Sequence, residues 1–134
     1  MGRGGIYAME SLSGTYALVV DGDRERRSLL SGILRYCGAL VTAVETPRDA
    51  LFVMHLLKPD VLIVDFSGAY EPGLEFIRRV RALKPEEGGM VAAVAVVEAA
   101  ADGALARSRG FDAFVAKPID PWELCRVVTT LLAT

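Results

Sequence analysis

Three residues in this chain stand where strand ends place chemistry. Asp65 closes the run Val61-Leu62-Ile63-Val64, and a small-residue stretch, Ser67-Gly68-Ala69, follows it. A short apolar run bounded by charge and turn residues marks a strand buried on both faces. Asp21 closes a second such run, Tyr16-Ala17-Leu18-Val19-Val20, and Lys117 follows a third segment, Phe111 to Ala116. In a parallel sheet these ends share the carboxyl edge, where ligands bind in such folds. Two carboxylates and an ammonium meeting there suit a divalent cation and a phosphoryl group. Hard Mg²⁺ takes oxygen ligands, and lysine neutralises phosphoryl oxygens as a point charge. Taken alone, Asp65 reads more readily as a strand-end cap of the following loop, and each residue singly is weak evidence. Together they argue for a shared site.

The elements that must position them follow in order. Asp23 is the expected N-cap of a first helix, with Leu30, Ile33, Leu34 and Cys37 in helical spacing and Gly38 as its stop. Ala39 to Val44 reads as a second strand, and Thr46-Pro47 as the N-cap and first turn of a helix through about Leu57. After the strand ending at Asp65, a third helix is expected over about Gly73 to Leu83 and a fourth strand over Met90 to Val97. Ala99 to Arg109 reads as an alanine-rich, weakly amphipathic fourth helix, and Asp120-Pro121-Trp122-Glu123 opens the last one. Alternating strands and helices predict an α/β, doubly wound domain around a five-stranded parallel sheet with helices on both faces. Periodicity leaves the strand order open.

At 134 residues and 52% hydrophobic content the chain makes one domain with a real core. Residues 1–14, rich in Gly and Ser, read as a flexible lead-in without a secretory signal, and 15–134 as the domain. The longest apolar run is far short of a membrane span, and a net charge of −2 argues against nucleic acid as a partner. The basic clusters Arg24, Arg26, Arg27 and Arg78, Arg79, Arg81, Lys84 read as solvated faces. Cys37 and Cys125 lack metal-ligand spacing and read as cytosolic thiols packed as small apolar groups, in keeping with a cytoplasmic protein.

Over Tyr16 to Thr134 the sequence resembles the receiver domain of two-component response regulators. The likeness is carried by Leu18-Val19-Val20-Asp21, by Asp60-Val61-Leu62-Ile63-Val64-Asp65, by Gly73 eight residues on, and by Lys117-Pro118. It implies the flavodoxin-like strand order 2-1-3-4-5 and a non-enzymatic phosphorelay role. A histidine kinase or phosphotransfer protein would place a phosphoryl group on Asp65, with Asp21, Asp65 and the Ser67 carbonyl as Mg²⁺ ligands and Lys117 on the phosphate. It also implies a cis Lys117-Pro118 bond. Separately, an aromatic ring at Trp122, where Glu or Ala would form helix more readily, points to docking or self-association on the face of helix four, strand five and helix five, unless Trp122 merely covers the core edge as a boundary residue. Trp122 and Arg126 would anchor that face.

The departures are as informative. The second acid usual after strand one is Gly22, while Asp23 sits in the turn and is expected to point elsewhere. Counting back from Lys117 puts Ala95 where strand four normally ends in Ser or Thr, and the aromatic switch position is Phe114, without a hydroxyl. The usual Met-Pro after the acceptor is Gly68-Ala69. Mg²⁺ is therefore expected to bind weakly or not at all, with Lys117 pairing to both carboxylates. Two readings follow: a phosphoacceptor with a weakened switch, or a pseudo-receiver acting by protein interaction alone, whether free-standing or part of a longer chain. A third, a haloacid-dehalogenase-type enzyme, is suggested by Asp21-Gly22-Asp23. Glu25 in place of the usual Thr or Val, and the lack of a downstream acidic pair, speak against it.

Overall fold

The central strands of the described sheet are buried on both faces, which is why they are apolar without alternation. The computed structural model describes residues 11–66 and 71–133. Five strands, β1 (Tyr16–Val20), β2 (Leu40–Val44), β3 (Val61–Asp65), β4 (Ala92–Val97) and β5 (Ala113–Ala116), form one parallel sheet in the order β2-β1-β3-β4-β5. The helices are α1 (Arg24–Tyr36), α2 (Pro47–Leu56), α3 (Glu71–Arg81), α4 (Gly103–Ser108) and α5 (Pro121–Leu132). The expected α/β doubly wound architecture and strand order are those observed.

Side-chain parity divides the core. Ala17, Val19, Val61, Ile63, Val94, Val96 and Val115 pack against Leu30 and Leu34 of α1 and Leu124 and Val128 of α5. Leu18, Val20, Leu62, Val64, Ala93, Ala95 and Val97 meet Ala50 and Met54 of α2 and Phe76, Ile77 and Val80 of α3. The helix starts follow their predicted caps. The Asp23 carboxylate accepts from Arg26 N–H, the Thr46 hydroxyl from Asp49 N–H and the Asp120 carboxylate from Trp122 N–H.

Several expectations need correction. Leu12 is fully buried and its N–H donates to the Cys37 carbonyl, so the lead-in does not extend through residue 14. The span expected as helix four is a 3-10 turn, Ala100–Asp102, followed by the short α4. Alanine and glycine there give little amphipathic drive, and Gly103 sits under the Phe114 ring, where an added Cβ would come within 2.3 Å of it. Arg81 is not a solvated charge. It donates to the carbonyls of Gly89, Val91 and Gly110 and to Asp112, tying α3 to β4 and β5.

The cysteines are not thiols. Cys37 and Cys125, 88 residues apart, form a disulfide between the end of α1 and α5. Only the fold brings them within 6.8 Å between Cα atoms, a distance bridgeable in general but invisible to sequence spacing. No described helix is long and apolar enough to cross a membrane. Trp122 is 52% exposed, yet it lines a cleft with Leu29, Gly32 and Tyr36 of α1, so it does not mark the face of α4, β5 and α5.

Candidate functional site

The sheet register brings the three predicted groups to one edge. Val20 pairs with Val64, so Asp21 and Asp65 leave adjacent strands at the same level. Lys117 follows β5, and its N–H donates to the Val97 carbonyl at the end of β4. Gly73, in the first turn of α3, lets that helix sit close, since a Cβ there would be 2.9 Å from the Phe66 ring and 3.4 Å from the Asp65 carbonyl oxygen. The Lys117-Pro118 bond is cis, as expected.

Asp21 is buried, its side chain wholly removed from solvent. An isolated buried carboxylate is costly, and this one is fully engaged. The Arg26 guanidinium clamps it from two nitrogens, Nε to Oδ2 at 2.6 Å and Nη2 to Oδ1 at 2.9 Å, while Asp23 N–H donates to Oδ1 at 2.8 Å. The same Arg26 Nη2 lies 3.3 Å from Oδ2 of Asp65. Lys117 Nζ lies 3.7 Å from the other oxygen of Asp65 and 3.1 Å from Glu98. Arg27 Nη1 donates to the Asp21 carbonyl. Two cations thus bracket Asp65, whose side chain keeps 22% of its surface exposed.

Arg26 is the residue that sequence reasoning missed, and reading the basic cluster as a solvated face is wrong for Arg26 and Arg27. Lys117 was expected to pair with both carboxylates; the structure gives Arg26 that role and turns Lys117 to Asp65 and Glu98. Burial alone would lower the Arg26 pKa. The hydrogen bond to Asp21 and the charges of Asp21, Asp65 and Asp23 outweigh it and hold the guanidinium above its ordinary value. A signal was present in the sequence. Arg26 is the third residue of α1, against the positive end of the helix dipole, where an acid is favoured. A cation there, five residues after a strand-end Asp, needs a nearby carboxylate.

Strand four supplies a second correction. Asp65 pairs with Val96, and Val97 is the last residue of β4. Ala95 pairs with Val64, a step below the edge and fully buried. Counting back from Lys117 lands one residue too deep, because the turn into α4 is shorter than a full helix would make it. The residue level with Asp65 is Val96, which also lacks a hydroxyl. Phe114 packs half-buried against Gly103 in the core beneath α4. Asp23 is spent on capping α1. Gly22 has open space, with the Glu45 carbonyl oxygen 3.8 Å from where its Cβ would lie. Ser67, Gly68 and Ala69 lie outside the described residues.

In the arrangement observed, a guanidinium separates the two acids. Mg²⁺ needs carboxylate oxygens at about 2.0–2.1 Å, but both Asp21 oxygens accept N–H donors and a guanidinium nitrogen lies between Asp21 and Asp65. Among the described residues no cluster of three or more His, Cys, Asp or Glu could hold a metal ion.

Residues 17–129 match the family model of the response regulator receiver domain. The chain belongs to that family. It is 34% identical over 120 residues to an uncharacterised 14.6 kDa protein of Leptolyngbya boryana, covering 90% of this chain and 92% of the other. Among solved structures it is similar to a CheY-like receiver domain from Methylobacillus flagellatus, with a TM-score of 0.75, 25% identity and coverage of 87% and 98%. It also resembles the receiver domain of the sensor histidine kinase PA1611 from Pseudomonas aeruginosa, with a TM-score of 0.80, 23% identity and coverage of 91% and 100%. That last structure holds a magnesium ion coordinated in its active-site cleft; at this identity the likeness speaks for the fold. In this receiver domain Asp65 and Lys117 stand at one edge of the sheet, with an arginine between the two acids.

Proposed function

We propose that this receiver domain is a phosphorelay module with Asp65 as its phosphoacceptor, working slowly and with little dependence on Mg²⁺. The observation behind this is the ion-pair network itself. Asp65 is still reachable, and Lys117 stands beside it to meet phosphoryl oxygens, but the opposite side of the carboxylate faces Arg26. In the transfer, an Asp65 oxygen forms a bond to phosphorus as the bond from phosphorus to the donor's leaving group breaks, and that group departs with the electron pair. Lys117 orients and neutralises the phosphoryl oxygens. Arg26 weakens Asp65 as a nucleophile by pairing with it, so transfer is slow. With Val96 beside Asp65 on strand four and Phe114 at the aromatic position, no hydroxyl at either place reports phosphorylation to the α4 side.

The donor on this reading is a histidine kinase or a phosphotransfer protein, and the domain turns over no substrate of its own. A pseudo-receiver, working by docking alone, is the second reading, and the engagement of Asp65 by two cations favours it. Incubation with a small-molecule phosphodonor, followed by intact mass, decides between them. A slowly formed single adduct that Asp65→Asn abolishes is expected. Complete absence of adduct at long times would leave only the pseudo-receiver. Multiple turnovers of a generic phosphate ester would overturn both.

A further inference from the structure

We propose that Arg26 is a built-in counter-ion that takes the place of a divalent cation between Asp21 and Asp65, and that this arginine, rather than the missing acid at Gly22, is what excludes Mg²⁺ from the pocket. The proposal rests on reading this edge as a receiver pocket and specifies how that pocket is charged. One nitrogen, Nη2, touches both carboxylates, at 2.9 Å from Asp21 and 3.3 Å from Asp65, which is the bridging position that an ion shared by the two acids would take. The clamp on Asp21 is bidentate, the strongest form of such pairing. Nor is Arg26 a loose surface group: its side chain is 24% exposed and grows from the first turn of α1, whose start is fixed by the Asp23 cap.

An incoming ion would have to strip the guanidinium from a carboxylate with no solvent access, leaving Arg26 without its partner. A bound metal exchanges with solvent and can be chelated away; a tethered guanidinium cannot. The pocket therefore carries a fixed positive charge at every Mg²⁺ concentration. Gly22 is permissive rather than decisive, because the space beside it is open.

The test compares the wild type, Arg26→Ala and Arg26→Gln by thermal melting and calorimetric titration with MgCl₂, against NaCl at matched ionic strength. Gln keeps part of the stem and a donor for Asp21 but is too short to bridge to Asp65 and carries no charge. An ion that binds only the folded state raises Tm with its concentration. The wild type is expected to show no Mg²⁺-specific shift and no binding heat. Both variants are expected to melt lower without the ion, to recover with Mg²⁺, and to bind it roughly tenfold or more tightly than the wild type, the factor that ~1.4 kcal/mol carries. If Arg26→Ala does not fold, Arg26→Gln carries both outcomes. A wild type that responds to Mg²⁺ as the variants do overturns the proposal, and so do folded variants that ignore Mg²⁺. Either result is separate from the phosphodonor assay: no adduct on Asp65 would remove the relay reading while leaving the counter-ion untouched.

Discussion

Replacing Arg26 by alanine is expected to destabilise the fold by about 2–4 kcal/mol. Removing one partner of a buried ion pair typically costs ~3–5 kcal/mol, because the remaining charge is left buried and unpaired. Asp21 meets that description, with a side chain that has no solvent access. Arg26 meets it only in part, since 24% of its side chain is exposed and water can follow the deleted guanidinium in. That discounts the upper end. For a domain of this size each kcal/mol moves Tm by roughly 3–5 °C, so the fall should be on the order of 10 °C. Urea or thermal denaturation followed by circular dichroism measures it directly. Arg78→Ala, in a pair with Glu75 on the exposed face of α3, is the control and should melt with the wild type. In a double-mutant cycle, Asp21→Ala with Arg26→Ala should cost clearly less than the two single losses combined. An Arg26→Ala protein as stable as the Arg78→Ala control would refute the reasoning.

Two other consequences are open to measurement. Gly103→Ala would place a Cβ 2.3 Å from the Phe114 ring, so overpacking of about 1–3 kcal/mol is expected, with Phe114 turned outward and its ring resonances shifted; unchanged stability and ring shifts would show that the ring does not rest there. Thiol titration of the unreduced, denatured chain should find no free cysteine. Because the crosslink spans 88 residues, the chain-entropy model gives it up to about 4–5 kcal/mol, so reduction should lower the urea midpoint well below that of the oxidised protein. Two titratable thiols in that chain would contradict the disulfide.

What could be read from the sequence depended on the range of each interaction. Helix starts were legible because Asp23, Thr46 and Asp120 cap N–H groups two or three residues away. The sheet was legible because strands closed on both faces are continuous apolar runs. Asp21, Asp65 and Lys117 could be placed on one edge because parallel strands end together. The failures involve partners or offsets that local pattern does not encode. The bridge from Cys37 to Cys125 depends on α1 lying beside α5 in space. The end of β4 at Val97 was legible, but placing the hydroxyl position at Ala95 failed because counting residues back from Lys117 assumes a regular helix four, where the chain makes a 3-10 turn and then a short helix. Arg26 was overlooked because three arginines in four residues look like a solvated face; its place in the first turn of α1 was the one local hint, and the guanidinium's reach to two strand ends settles it.

The central claim, that an arginine side chain stands where a cation would bridge the two acids, is tested most directly by a crystal of the wild-type protein soaked in MnCl₂ and measured at a wavelength where manganese scatters anomalously. The predicted result is guanidinium density in contact with Asp21 and Asp65, and no anomalous peak between the two carboxylates. An anomalous peak there, with the Arg26 side chain swung out toward solvent, would contradict the account.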